Sequence, residues 1–238
     1  MKPNQFALTL SALAFAACTA QAAFAESIHH QPHAAGIESY GYTWNAPDQD
    51  LNNALAHTGD AKKGEAAYRI CKGCHKADGS GLADADYPQL AGQHASVIIK
   101  QMMDIRAGRR DNPRMYPFSG DWIVSAEEIA DIAAYLSALP MPTSNGKGNG
   151  YHLALGKTLY EKDCASCHGK TGEGDAKHFI PKVAGQHFIY LKRETRESRD
   201  QGRRNASPEM VQPLKHYSDA DIEAVSDYMS RLNMAGMR

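Results

Sequence analysis

Cys71-Lys72-Gly73-Cys74-His75 and Cys164-Ala165-Ser166-Cys167-His168 lie 93 residues apart and share one pattern, two cysteines three apart with a histidine directly after the second. The flanking sequence repeats at the same offset. Pro88 falls on Pro181, Ala91-Gly92-Gln93-His94 on Ala184-Gly185-Gln186-His187, and Ser125, Ile129, Tyr135 and Leu139 on Ser218, Ile222, Tyr228 and Leu232. A repeat of this length is a small domain, far longer than a solenoid unit. The 238-residue chain is expected to hold two such domains, residues 58–143 and 150–238. Between them residues 144–149, rich in Gly and Asn after Pro140 and Pro142, read as a flexible linker.

Each domain reads as helical. Ser125 with Glu128 forms an N-terminal capping box, and Ile129, Ile132, Ala133, Leu136 and Leu139 follow on a 3.6-residue period. The second copy starts at Ser218 with Asp221 in the reciprocal position. Further helices are expected from Ala95 to about Arg106, from Phe188 to about Asp200, and before each cysteine pair. No stretch alternates over strand length. All-α domains of under about 90 residues bury little apolar surface by themselves, so something large and apolar should fill each centre.

The repeated motif says what. Cys-x-x-Cys-His is the attachment pattern of c-type haem: the thiols add to the porphyrin vinyl groups as thioethers, and the adjacent histidine supplies a nitrogen to the iron. Two disulfides, a redox dithiol or a zinc site would also use cysteines at this spacing, but none of them requires histidine directly after the second cysteine twice. The expectation is two covalent haems, held by Cys71 and Cys74 and by Cys164 and Cys167, with His75 and His168 as axial ligands.

A sixth ligand from Met or His closes the iron, and a vacant position leaves it reactive. Met115 lies 40 residues after His75 and Met210 lies 42 after His168, each in an Arg- and Pro-flanked loop before the last helix; these are the expected distal ligands. Met102 and Met103 sit in a helix and read as core. His94 and His187, heading helices after Ala-Gly-Gln, are rivals as ligands or else pack near the haem edge. The carbonyls of Pro88 and Pro181, each 13 residues past a motif histidine, are candidates to accept its Nδ1–H, which fixes the ring and raises its basicity.

The composition excludes other classes. Hydrophobic residues are 42% and charged residues 22%, as in ordinary globular chains, and the formal net charge of −1 argues against a nucleic-acid binder. Residues 1–25 read as a cleaved export signal: Lys2, an apolar run from Phe6 to Ala17, then Ala23-Phe24-Ala25. Export to a periplasm follows, with Cys18 as a lipidation site in the minority reading. Without the signal, 25 basic residues face 27 acidic ones and no cysteine remains outside the motifs. Residues 26–57 form an extension with four acidic and no Lys or Arg residues, read as a solvated, partly disordered lead-in. Its Tyr40, Tyr42 and Trp44 are expected to pack on the first domain, while His29, His30 and His33 offer a lesser metal-binding reading. The run Lys192, Arg193, Arg196, Arg199, Arg203 and Arg204 reads as a solvated face, or else as a dock for an acidic partner.

The two Cys-x-x-Cys-His motifs, the Pro-x-x-Ala-Gly-Gln-His segments and the Met loops together resemble class I cytochromes c, specifically the two-haem cytochrome c₄ family, over about residues 58–236. The resemblance implies two tandem cytochrome c folds with haems near the domain interface. It also implies single-electron carriage toward a terminal oxidase, with a membrane oxidase, a bc complex or a periplasmic dehydrogenase as redox partner. Neither a nucleic acid nor a small-molecule substrate is expected, and peripheral membrane association is compatible. An electron-accepting dehydrogenase subunit, docked through the unmatched extension, is the alternative. A two-haem enzyme would need an exchangeable or unusual distal ligand.

Overall fold

In the computed structural model, which describes residues 29–46 and 48–233, the sequence repeat is a structural repeat. The first copy holds α2 (Ala61–Ala67), a 3₁₀ turn (Tyr68–Ile70), α3 (Lys72–His75), α4 (Ala95–Arg106), α5 (Tyr116–Ser119) and α6 (Ala126–Ala138). The second holds α7 (Leu153–Asp163), α8 (Ala165–His168), α9 (Phe188–Arg199), α10 (Pro208–Leu214) and α11 (Asp219–Arg231). Both capping boxes form, at Ser125 with Glu128 and at Ser218 with Asp221. The described residues contain no strand, only the isolated bridges Leu82–Tyr87 and Asp175–Ile180. The fold is all-α.

In each copy the helix before the motif crosses the last helix, and a glycine sets how closely. A Cβ at Gly64 would stand 2.0 Å from the Asp131 carbonyl oxygen of α6, and one at Gly156 2.1 Å from that of Ala224 in α11. No side chain fits there, so backbones meet directly and the helix pair forms a rigid back wall. Tyr68 and Tyr160 fill the space beneath it, tilted against Tyr135 and Tyr228 at 5.7 and 5.6 Å. Their hydroxyls donate to the carbonyls of Lys76 (3.0 Å) and Gly169 (2.6 Å), just past each motif. The core residues of α4 and α6 therefore hold the motif from behind.

The described residues before 58 are more ordered than their composition suggests. Residues Gln49–Ala56 form α1, capped by Asp48, and its Leu51 and Ala54 are buried in the first core. Two apolar residues at helical spacing gain more from that core than a hydrated chain would keep. Upstream, the Gln31 amide donates to the carbonyls of Ile105 (2.9 Å) and Arg110 (2.8 Å) and accepts from Asn112 N–H (3.1 Å). Of the aromatic stretch, Tyr42 lies half-buried against the first domain while Tyr40 stands in solvent. The Gly/Asn segment is likewise pinned: Asn145 donates to the carbonyls of Gln186 (2.9 Å) and Ser230 (2.7 Å), and Gly150 N–H reaches Asp227 (2.7 Å). The expected signal, residues 1–25 with Cys18, lies outside the described residues. Among the described residues no helix is long and apolar enough to cross a membrane.

Candidate haem sites and the face between them

The first motif closes a single helical turn. The amides of Cys74 and His75 both donate to the Cys71 carbonyl, at 3.3 and 3.0 Å, which brings Cys71 and His75, four residues apart, onto one face of that turn. His75 is buried, and its Nδ1 donates to the Pro88 carbonyl at 3.2 Å. Burial holds its pKa below the usual value, so the ring is neutral, and Nε2 makes no hydrogen bond within the described residues. Cys71, His75 and Met115 line one cleft with Leu90, Met102 and Phe118, an otherwise apolar wall. Met115 is placed by Asn112, whose carbonyl and side-chain oxygens accept its N–H at 3.0 and 3.1 Å.

The second motif repeats the backbone turn and the histidine bond of the first. The amides of Cys167 and His168 donate to the Cys164 carbonyl (3.2 and 2.9 Å), and His168 Nδ1 donates to the Pro181 carbonyl at 3.0 Å. Met210 packs on the second core. Met115 lies in the turn that leads into α5, as expected, whereas Met210 is inside α10, which corrects the loop reading there. Pro208 is tolerated because it occupies the first helical position, where no amide donor is needed, while Pro213 lies within the helix one residue before its end. Met103 is core as expected, and Met102 packs on that core while also lining the cleft.

The four motif cysteines are free thiols. Burial pushes Cys71 up to about 11 and Cys164 up to about 12. A redox dithiol needs the opposite shift, toward thiolate. No group of three or more His, Cys, Asp or Glu side chains converges as a cation site among the described residues, which include His29, His30 and His33. An apolar cleft lined by the protonated Cys71 thiol, an oriented neutral imidazole and a thioether fits a haem and fits zinc poorly.

The family model described as Cytochrome c matches residues 61–140 and again 153–233. The chain belongs to the cytochrome c family. It is 32% identical over 199 residues to cytochrome c4 of Azotobacter vinelandii, a match covering 75% of this chain and 92% of that protein. It is 34% identical over 177 residues to the thiosulfate dehydrogenase electron acceptor of Stutzerimonas stutzeri, covering 70% and 80%. The crystal structure of reduced recombinant cytochrome c4 from Pseudomonas stutzeri superposes with a TM-score of 0.66 at 28% identity, over 74% of this chain and 100% of that one. This is a two-domain, class I, c₄-like cytochrome that carries two covalent haem c groups with their iron and transfers electrons.

The repeated Ala-Gly-Gln-His segments of this cytochrome meet each other. His94 Nε2 donates to the Glu173 carbonyl at 2.8 Å and His187 Nε2 to the Ser80 carbonyl at 2.7 Å. Since Ser80 and Glu173 are themselves 93 residues apart, these contacts are related by an approximate two-fold axis. Each domain reads the backbone of the other with the same side chain. Both imidazoles are thus spent on carbonyls across the face between domains, which corrects their reading as rival ligands, and both stand at helix starts as expected. Sequence alone shows that these residues repeat but not that the repeat closes on itself.

Burial depresses both histidines, and Gly146 N–H donates to His187 Nδ1 at 3.1 Å, a bond only the unprotonated nitrogen accepts. As pH falls below about 6.5 the unfolded chain takes up protons that the folded chain refuses, so stability is present above that value and is lost on acidification. Melting temperature should fall between roughly pH 7.5 and 5, and His187→Gln should flatten that fall. An unchanged slope in His187→Gln would place the acid sensitivity elsewhere.

The cationic run is paired within the molecule. Lys192 meets Glu223 (2.7 Å), Arg193 meets Asp86 (3.3 Å), Arg196 and Arg199 share Asp219, and Arg204 meets Glu38 (2.9 Å) and Asp111 (3.1 Å). Arg203 pairs with Glu194, which also holds Arg110 (2.9 Å) and Arg193 (2.7 Å). Three guanidinium groups on one buried carboxylate leave positive charge in excess: burial and the Arg110 charge push Arg203 down to about 9.

Proposed function

We propose that this cytochrome is a periplasmic carrier of single electrons with no substrate of its own. Cys71, Cys74, His75 and Met115 serve one haem and Cys164, Cys167, His168 and Met210 the other, with the Pro88 and Pro181 carbonyls orienting the two histidines. The observation that carries the reading is the cleft that brings Cys71, His75 and Met115 together, set in one of two copies of a repeated motif. When bound, haem supplies a one-electron couple at its iron, and the thioether of methionine favours the ferrous form. The chain's own residues do the rest. Four thiols anchor, two carbonyls hold the imidazoles as neutral nitrogen donors, and the apolar wall of Leu90, Met102 and Phe118 excludes water. Phe118 and Ile70, also lining the cleft, remain partly exposed at 42% and 46%, so the site opens to the surface where a partner can approach.

The mature protein should retain haem absorbance after denaturation and acid–organic extraction, and its mass should exceed the polypeptide by two haem groups. A single haem in protein matured by a working attachment system would sink the assignment of both motifs.

A second reading is favoured by the relative named a thiosulfate dehydrogenase electron acceptor: this chain is the electron-accepting partner of one periplasmic dehydrogenase. The described residues upstream of the family match, with α1 packed on the first domain and Ile37 and Glu38 bonded to Arg204 of the second, give it a surface of its own. Affinity capture of the mature protein from its native periplasm and membranes separates the two. Recovery of an oxidase or bc complex supports the first reading, and recovery of a stoichiometric dehydrogenase supports the second.

A further inference from the structure

The carbonyl that orients each motif histidine belongs to a peptide whose N–H is held by the opposite domain. His75 Nδ1 donates to the Pro88 carbonyl (3.2 Å), and the N–H of that same peptide, on Gln89, donates to Gln186 Oε1 of the second domain at 2.9 Å. In the other direction His168 Nδ1 donates to the Pro181 carbonyl (3.0 Å), and the N–H of Lys182 donates to Gln93 Oε1 of the first domain, also at 2.9 Å. Each glutamine closes a second bond on the same strand of backbone: Gln186 Nε2 donates to the Gln89 carbonyl (2.9 Å) and Gln93 Nε2 to the Lys182 carbonyl (3.0 Å). Gln93, Gln186 and Gln89 are all buried, so water does not substitute for these bonds.

We propose that Gln93 and Gln186 are crossed positioning residues, each setting the ligand strength of the motif histidine in the other domain and so tuning the reduction potential of the other domain's haem. The physical reason is that a peptide is one polarisable unit. Hydrogen bonds at its N–H and C=O ends reinforce each other, more so in a low-dielectric interior. A glutamine oxygen on the N–H makes the proline carbonyl a better acceptor. A better acceptor draws the Nδ1–H, makes Nε2 more basic and stabilises the ferric iron. The local geometry leaves the peptide little room to compensate. Gly81 and Gly174 have φ of +67° and +66°, and a Cβ on them would stand 2.5 and 2.6 Å from the Pro88 and Pro181 oxygens. Backbone therefore packs against the carbonyl on one face while histidine holds it on another. The glutamine across the interface is the third restraint.

The inference rests on the ligation proposed above. Its test is potentiometry of the two-haem protein, with each haem assigned by its own methionine methyl resonance, together with the iron–histidine vibration of each ferrous site. Gln186→Leu should raise the potential of the haem at His75 and lower its iron–histidine frequency, leaving the haem at His168 nearly in place. Gln93→Leu should do the reverse. Gln186→Met and Gln93→Met, closer in shape, carry the test if the branched side chains prevent folding. Ser96→Ala deletes another bond between domains, to the Ala176 carbonyl (2.6 Å), without touching either peptide, and should leave both potentials unchanged. Shifts confined to the variant's own domain, or equal shifts from Ser96→Ala, or none, would overturn the crossed assignment. A wild-type protein lacking two histidine-ligated haems would instead overturn the ligation itself.

Discussion

Replacing Met115 or Met210 by alanine is expected to remove about half of the weak sulfur-to-iron band at the red end of the ferric spectrum, and the double variant all of it. Each single variant should also lower the potential of its own haem, because the soft thioether that favours ferrous iron is gone, and should open that iron to carbon monoxide. The structural basis differs between the two. Met115 lines the cleft that also contains His75 and Cys71, held there by Asn112. Met210 is carried by α10, whose first turn is capped by Ser207, so its position depends on that short helix. If the unmodified ferrous protein bound carbon monoxide readily at neutral pH, or turned over peroxide at about 1–10³ s⁻¹, the carrier reading would be wrong and an enzyme would take its place. If both variants kept the wild-type spectrum, neither methionine would be a ligand.

The largest effect on stability is expected at Asp104. Its carboxylate is fully buried and accepts from Lys100, from Arg109 Nε (2.8 Å) and from Asn205 Nδ2 of the second domain (2.7 Å). Arg109 in turn holds Asp48, the residue that caps α1. One side chain therefore ties the extension, the first domain and the second together. Asp104→Ala strands the buried Lys100 ammonium and should cost about 3–5 kcal/mol. For a chain of this size that is a fall of roughly 10 °C in melting temperature, read by calorimetry. Replacing Lys100 and Asp104 together by apolar residues should recover part of the loss, because a missing pair costs less than a stranded charge. A fall of less than about 2 °C in Asp104→Ala would mean that Lys100 finds another partner or reaches water.

How much of this is legible in the sequence depends on whether the physics is local. The two haem motifs, the capping boxes at Ser125 and Ser218 and the extents of α4 and α9 are set by residues within a turn or two of each other, so composition and spacing suffice. The repeat at a constant offset extends that reading from one domain to two. The proline carbonyls that receive Nδ1 of His75 and His168 were also within reach, because the thirteen-residue spacing recurs in both copies.

What only the tertiary structure decided is where the chain meets itself at long range. His94 and His187 carry the same helix-start pattern whether they face an iron or a neighbouring backbone, and only the approximate two-fold contact between domains assigns them to the latter. The cationic run looks like an open basic face until Asp86, Glu223, Asp219 and Glu38 fold back onto it from distant positions. Residues 49–56 have helical spacing but are too short to hold a helix alone, and α1 exists because a core made by α4 and α6 is there to bury Leu51 and Ala54. A motif states its chemistry through covalent neighbours. An interface is a meeting of surfaces whose separation along the chain carries no signal, and hydrophobic burial and charge pairing fix it only once both surfaces have formed.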